Sequence, residues 1–387
     1  MHAKHLTHAA VLGLALNAVA ACFHPASAAP PFPLGAYLGN PNGSNQQDEA
    51  EFEASYASFV STLGTSPRLI LSYIDYTQPV TSWPSNTSWQ AWSNAQSPDA
   101  RNLIPVLGLP MYSIESGSPT PDQQYCTFAS GAYDSVLQAI VYAWTQQGFK
   151  KMFVRPAWEM NITGNTYVGS DSQSQADFIH AFRHIYTIMH AAAVSYGVDL
   201  KIVWNPSATN YTSPSATSVL YPGDTYVDVI AADYYGDMYP FSDGGNPPTY
   251  HDWHTGGEDT SVAQFIADPV NRAHYWTWPA ATKWSLDGSD GHSLTMSAML
   301  SFAQSHAKPF AIAEAGAGNC NAGRDVCDDP TFASWLASTL KTAAAGGQSV
   351  SFVDIWDNNG GGNYEFSFSD DKKPSEAAEW GSALGTK

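Results

Sequence analysis

The feature that most constrains this chain is a succession of eight short β-rich runs with helical segments between them. The runs are Leu34–Leu38, Arg68–Tyr76, Leu103–Leu109, Phe153–Arg155, Leu200–Trp204, Val227–Asp233, Phe310–Ala313 and Ser351–Ile355. A helix is expected over Asp48–Leu63, where Phe52, Tyr56, Phe59 and Leu63 recur at helical spacing. Asp134–Gln147 carries Val136, Leu137, Ile140, Val141 and Trp144 on one face, and Gln175–Tyr196 carries Phe178, Phe182, Ile185 and Met189 before a capping Gly197. Further helices are expected over Thr295–Ser305 and Phe332–Ala345. Trp83–Trp92 reads as loop or short helix, and residues 113–131 as a long polar loop. Residues 236–293 read as a long insertion with a short helix near Val262–Ala267. Strands that alternate with helices form parallel βαβ units. The length suits an α/β fold, a single-domain (β/α)8 TIM barrel with long βα loops, whose chemistry lies at the C-terminal strand ends. The rival is a doubly wound open sheet, but no Gly-x-Gly-x-x-Gly turn opens a helix after the first strand.

The first residues read as a secretory signal, with Lys4 before an apolar run from Ala9 to Ala21 and Ala26-Ser27-Ala28 as a cleavage site. Residues 1–29 are then a signal peptide, 30–387 form the barrel domain, and the protein is secreted or periplasmic. Val19-Ala20-Ala21-Cys22 resembles a lipoprotein box, which would instead leave a lipid on Cys22. No later stretch reaches about 18 consecutive apolar residues, so no membrane span is expected. Export to an oxidising compartment makes a disulfide between Cys320 and Cys327 the expected pairing, worth roughly 2.5 kcal/mol in the chain-entropy model. Cys126 is left over and reads as a buried thiol.

Charged residues make up 13% of the chain and aromatics another 13%, with 13 Trp, and the formal net charge is −19. So acidic a surface repels phosphates and polyuronates, which argues against nucleic acid and for a neutral ligand. The chain is expected to act as a monomer and without a cofactor. No His-Glu-x-x-His run or Cys-x-x-Cys pair is present, and Asp-Gly-Ser-Asp-Gly at 287–291 lacks the rest of a calcium loop, so no metal is expected. A Gly-x-Ser-x-Gly elbow is also missing, which argues against an α/β-hydrolase.

Two glutamates stand out. Glu159 follows Phe-Val-Arg-Pro-Ala-Trp at the fourth run, and Glu314 follows Phe-Ala-Ile-Ala at the seventh. Cleaving a glycosidic bond needs one carboxyl group to protonate the departing oxygen and a second to act at the anomeric carbon, and two glutamates at strand ends meet that need. Nearby candidates for the substrate site are Arg155, Trp158, Asn161, Trp204 with Asn205, Tyr235 and Trp356. Arg155 would keep a glutamate ionised, or form a buried structural ion pair. The aromatic residues would stack on sugar faces, or fill the core.

Three segments carry a family resemblance. Arg155-Pro156-Ala157-Trp158-Glu159-Met160-Asn161, Tyr221-Pro222-Gly223-Asp224-Thr225-Tyr226-Val227-Asp228 and Lys308-Pro309-Phe310-Ala311-Ile312-Ala313-Glu314-Ala315-Gly316 follow, in order, patterns of glycoside hydrolase family 26. The chain resembles that family of secreted barrel enzymes, which includes β-mannanases. The resemblance implies a retaining, endo-acting β-glycosidase that hydrolyses a β-mannan or related β-glycan. It gives Glu159 the acid/base role and Glu314 the nucleophile role, and sets Tyr235 beside the nucleophile. Trp158 stands where the family usually carries His, so the sugar at the cleavage point is held differently or the substrate is β-glucan or xylan. A non-catalytic carbohydrate-binding barrel is the reading from another class.

Overall fold

The computed structural model describes residues 32–39, 46–85, 102–162, 172–207, 217–236, most of 250–271, 296–318, 328, 330–359, 367–369 and 372–384. Its strands are β1 (Leu34–Tyr37), β2 (Leu69–Tyr73), β3 (Ile104–Leu109), β4 (Lys151–Pro156), β5 (Asp199–Trp204) and β6 (Val229–Tyr235), then β7 (Tyr250–His251), β8 (Glu258–Asp259), β9 (Phe310–Gly316) and β10 (Val350–Trp356). All but β7 and β8 are parallel and close into a barrel in the order β1-β10-β9-β6-β5-β4-β3-β2. Each of the eight expected runs supplies one barrel strand. β7 and β8 pair antiparallel as a small ribbon within the 236–293 insertion, where no strand was expected.

The barrel strands are buried on both faces, which is why they read as apolar runs. Outward residues such as Ile70, Leu107, Val154, Ile202 and Ile312 join the core beneath the helices. Inward residues form a second cluster, in which Ala231, Ala311 and Ala313 leave room for Phe153 and Phe352, whose rings meet edge-on at 4.9 Å. Small residues opposite large ones fill the interior, so it is packed and not a pore.

The helices are α1 (Gln46–Leu63), α2 (Pro121–Ala129), α3 (Asp134–Gln146), α4 (Ser172–Tyr196), α5 (Met296–Ser305), α6 (Pro330–Ala345) and α7 (Pro374–Ala383). α2 corrects the reading of 113–131 as loop. Thr120 and Gln123 form a reciprocal capping box, with Pro121 in the first turn. Cys126 lies on α2 and is exposed, not buried, because the inward positions of that helix are taken by Gln124, Tyr125 and Phe128. Val80–Ser85 is a 3-10 turn. α7 was not expected at all. The expected signal segment, Cys22, Cys320, Cys327 and most of Val262–Ala267 lie outside the described residues. No described helix is long and apolar enough to cross a membrane.

Candidate active site

Two local distortions aim the glutamates. Beyond Pro156 the chain leaves the strand, with Ala157 at φ 47° and Glu159 at φ 55°. Such left-handed conformations cost of order 1 kcal/mol or more for residues with a Cβ, and they persist only where neighbours enforce them. Here the Ala157 N–H donates to the Leu109 carbonyl and the Glu159 N–H to the Asn205 carbonyl, each at 2.8 Å, so β3 and the end of β5 hold the turn from both sides. Asn161 completes the clamp. Its Nδ2 donates to the Ser207 carbonyl (2.8 Å), and its Oδ1 accepts from the Ser207 N–H (2.7 Å). Glu159 therefore sits in a turn three residues past β4 and not at the strand tip.

On β9 the device is a bulge. Ala232 pairs with Ile312, but the next residue of β6, Asp233, pairs with Glu314. Ala311 and Ala313 face the interior, so regular alternation would turn Glu314 outward. The extra residue reverses the phase. Glu314 faces the cleft, and Ala315 rejoins the outer core.

Among the described residues, three side chains donate to Glu314. The Tyr73 hydroxyl and Arg155 Nη2 (2.7 Å) both reach Oε1, and the Tyr235 hydroxyl reaches Oε2 at 2.9 Å. Arg155 is fully buried. It also donates to Asp233 Oδ2 (3.0 Å), to Asn205 Oδ1 (2.5 Å) and to the Tyr73 oxygen (3.3 Å), and Asn205 in turn donates to Asp233 Oδ1 at 3.0 Å. Glu159, Asp233 and Glu314 bring carboxylate oxygens within 4.8 Å of one another. That spacing would also fit a cation, but the guanidinium of Arg155 already supplies a positive charge to two of the three groups.

One cation cannot balance three ionised carboxylates. Burial, and then the charge of Glu314, push Glu159 up to about 8, against a hydrogen bond from Ser207 and the attraction of Arg155. Asp233 is raised in the same direction, by its own burial first and then by Glu314. Burial raises the phenols of Tyr73 and Tyr235 as well, so both remain donors.

The cleft above these groups is lined by Tyr37, Tyr73, Ile74, Asp75, Tyr76, Trp158 and Trp356, together with the two glutamates. Tyr37 lies 4.1 Å from Trp356, and Tyr73 lies 4.8 Å from Trp158, between ring centres. This wall depends on Gly108, since a Cβ there would come within 2.4 Å of the Tyr73 ring and 3.2 Å of the Trp158 ring.

The fold is similar to that of a Bacillus subtilis mannanase. That structure, mannanase man26, is 18% identical over 92% of this chain and 86% of its own, with a TM-score of 0.50. The YdhT protein from Bacillus subtilis aligns at 17% identity over 89% and 84% (TM-score 0.49). PbGH5A, a glycoside hydrolase family 5 enzyme from Prevotella bryantii B14, aligns at 11% over 92% and 96% (TM-score 0.48). No family model matches the chain, and no curated protein matches it in sequence. At such identities the likeness is one of fold.

Of the residues expected at the site, Glu159, Glu314, Trp158 and Trp356 line the cleft, and Tyr235 reaches Glu314 from its edge. Arg155, Asn161 and Asn205 are buried beneath it, where they bond protein groups. Trp204 is not in the cleft. Its fully buried ring turns outward against Tyr221 and Phe302, with its N–H on the Leu220 carbonyl. Sequence reasoning missed Tyr37 and Tyr73. Alternation along β2, with Leu69 and Leu71 inward, would have placed Tyr73 on the inner face at the C-terminal end of the barrel.

Proposed function

We propose that this protein is a glycoside hydrolase that cleaves a neutral β-linked polysaccharide, foremost a β-mannan, with retention of configuration. The observation that carries the reading is the close approach of Glu159 and Glu314, with carboxylate oxygens within 4.8 Å. Retaining enzymes hold the two carboxyl groups about 5–5.5 Å apart so that one attacks directly, whereas inverting enzymes leave about 6.5–9.5 Å for a water.

The two carboxyl groups then play different parts. Glu159, protonated below about pH 8, gives its proton to the departing glycosidic oxygen. Glu314, aimed by Arg155, Tyr73 and Tyr235, forms a bond to the anomeric carbon as the carbon–oxygen bond to the leaving group breaks. Water then attacks the same carbon. Its proton passes to Glu159, and the Glu314 carboxylate leaves. The aromatic walls suit the C–H faces of pyranose rings, and the acidic chain suits an uncharged polymer.

Reducing-sugar release from mannan, mixed-linkage glucan, xylan and cellulose tests the activity, and NMR of the first product anomer tests its stereochemistry. Glu314→Ala should be inactive on every substrate. Glu159→Ala should lose about 10²-fold or more on polysaccharide but still react with an aryl glycoside that needs no protonation, and azide should rescue its turnover. An inverted first product, or equal loss on both substrates without azide rescue, would remove these roles.

A further inference from the structure

Glu314 is held asymmetrically. Oε1 accepts from both Tyr73 and Arg155, while among the described residues Oε2 accepts only from Tyr235. A carboxylate oxygen has two in-plane lone-pair directions. Both are taken at Oε1, and one is open at Oε2. We propose that Tyr73 is a positioning residue that commits Oε1 as the non-reacting oxygen, so that the oxygen beside Tyr235 is the one that attacks. The inference rests on Glu314 being the nucleophile.

Tyr73 is built for this task. Its hydroxyl receives a hydrogen bond from Arg155 Nη1 at 3.3 Å, which leaves the single O–H free to point at Glu314. Its ring is fixed by Trp158 at 4.8 Å and Tyr37 at 5.4 Å, in space that Gly108 leaves open. Neither Tyr73 nor Gly108 belongs to the segments that carry the family resemblance.

The bookkeeping of the two steps gives Tyr73 a distinct kinetic signature. In the first step the Oε2–C1 bond forms, the bond from C1 to the leaving oxygen breaks, and the Glu159 proton goes to that oxygen. Oε1 becomes the carbonyl oxygen of an ester and loses negative charge. In the second step the oxygen of water bonds to C1, C1–Oε2 breaks, the water proton returns to Glu159, and charge returns to the carboxylate. Donors on Oε1 favour the charged carboxylate over the ester. They therefore assist the second step more than the first.

Two measurements test this. Wild-type enzyme is treated with 2,4-dinitrophenyl 2-deoxy-2-fluoro-β-glycosides of mannobiose and cellobiose, and the trapped glycosyl-enzyme is crystallised. The expected result is a bond from C1 to the Glu314 oxygen beside Tyr235, with the Tyr73 hydroxyl on the carbonyl oxygen; a bond to the other oxygen overturns the inference without touching the nucleophile assignment. If wild type forms no adduct on Glu314, the underlying reading fails and the inference falls with it. Tyr73→Phe, which keeps the ring, is then assayed with the matching 2,4-dinitrophenyl β-glycoside. A burst of one dinitrophenolate per enzyme is expected, followed by turnover about 10²-fold slower than wild type, with KM falling alongside kcat as the ester accumulates. Slower turnover with no burst and an unchanged KM would reduce Tyr73 to a packing role.

Discussion

Burial and the charge of Glu314 push Glu159 up to about 8, and under the proposed function this sets the alkaline side of the pH profile. A general acid works only while protonated, so kcat/KM for polysaccharide should fall as pH rises through about 8. The same shift enters stability. The folded chain keeps the Glu159 proton where the unfolded chain has lost it, so this residue's contribution declines from roughly pH 4.5 upward and levels off above about 8. Glu159→Gln should therefore match wild type in Tm at low pH and gain on it progressively across that window, as thermal unfolding at a series of pH values would show. Trp158 makes a different kind of contribution. Its ring forms cleft wall and packs on Tyr73 at 4.8 Å, so Trp158→Ala should raise KM about 10-fold, the worth of one aromatic contact, and lower kcat as well by loosening Tyr73. A drop confined to kcat would place the indole in the chemistry instead.

At the scale of elements, the apolar runs and helical periods carried the barrel, because strands covered on both faces and helices with one covered stripe leave those marks in any sequence. What escaped was phase. The bulge that pairs Asp233 with Glu314, and the left-handed turn at Ala157 and Glu159, are enforced by neighbouring strands and have no local signature. Two other misses were legible. Alternation along β5 turns Val203 inward and Trp204 outward, and Thr120-Pro121-Asp122-Gln123 is a helix start by its own composition. The bulge also makes Gly236 critical. It follows β6, donates its N–H to the Gly316 carbonyl at 2.8 Å, and a Cβ there would lie 2.2 Å from the Ala317 carbonyl oxygen. Backbone must move to admit it, so Gly236→Ala should cost at least about 1–3 kcal/mol in urea unfolding. It should also lower kcat by loosening the contact between Tyr235 and Glu314.

For the whole molecule, the C-terminal end of β9 is tied to α7. Glu376 on α7 accepts from the Ala317 N–H at 3.0 Å and from Trp380 Nε1 at 2.9 Å, and buried Lys373 donates to the Gly318 carbonyl at 2.6 Å while lying 3.6 Å from Glu376. Removing one partner of a buried ion pair strands the other, which costs about 3–5 kcal/mol. Glu376→Ala should lose about that much stability, and it should lose activity at temperatures where the fold survives, read by parallel denaturation and rate measurements.

The barrel itself is closed by its first and last strands. Gly35 pairs with Asp354, and the missing side chain of the glycine is the space that the aspartate occupies, since a Cβ would sit 1.5 Å from Oδ1. Asp354 is fully buried, its oxygens have no hydrogen-bond partner among the described residues, and burial raises it well above the usual carboxylate range. The seam between β1 and β10 thus takes a proton-bearing acid out of water as it forms. Loop closure across that span comes before any reward from the packing it permits, so refolding should be slow and should accelerate at acid pH, where Asp354 enters already neutral. Equal refolding rates at acid and neutral pH would show instead that burying Asp354 does not limit folding.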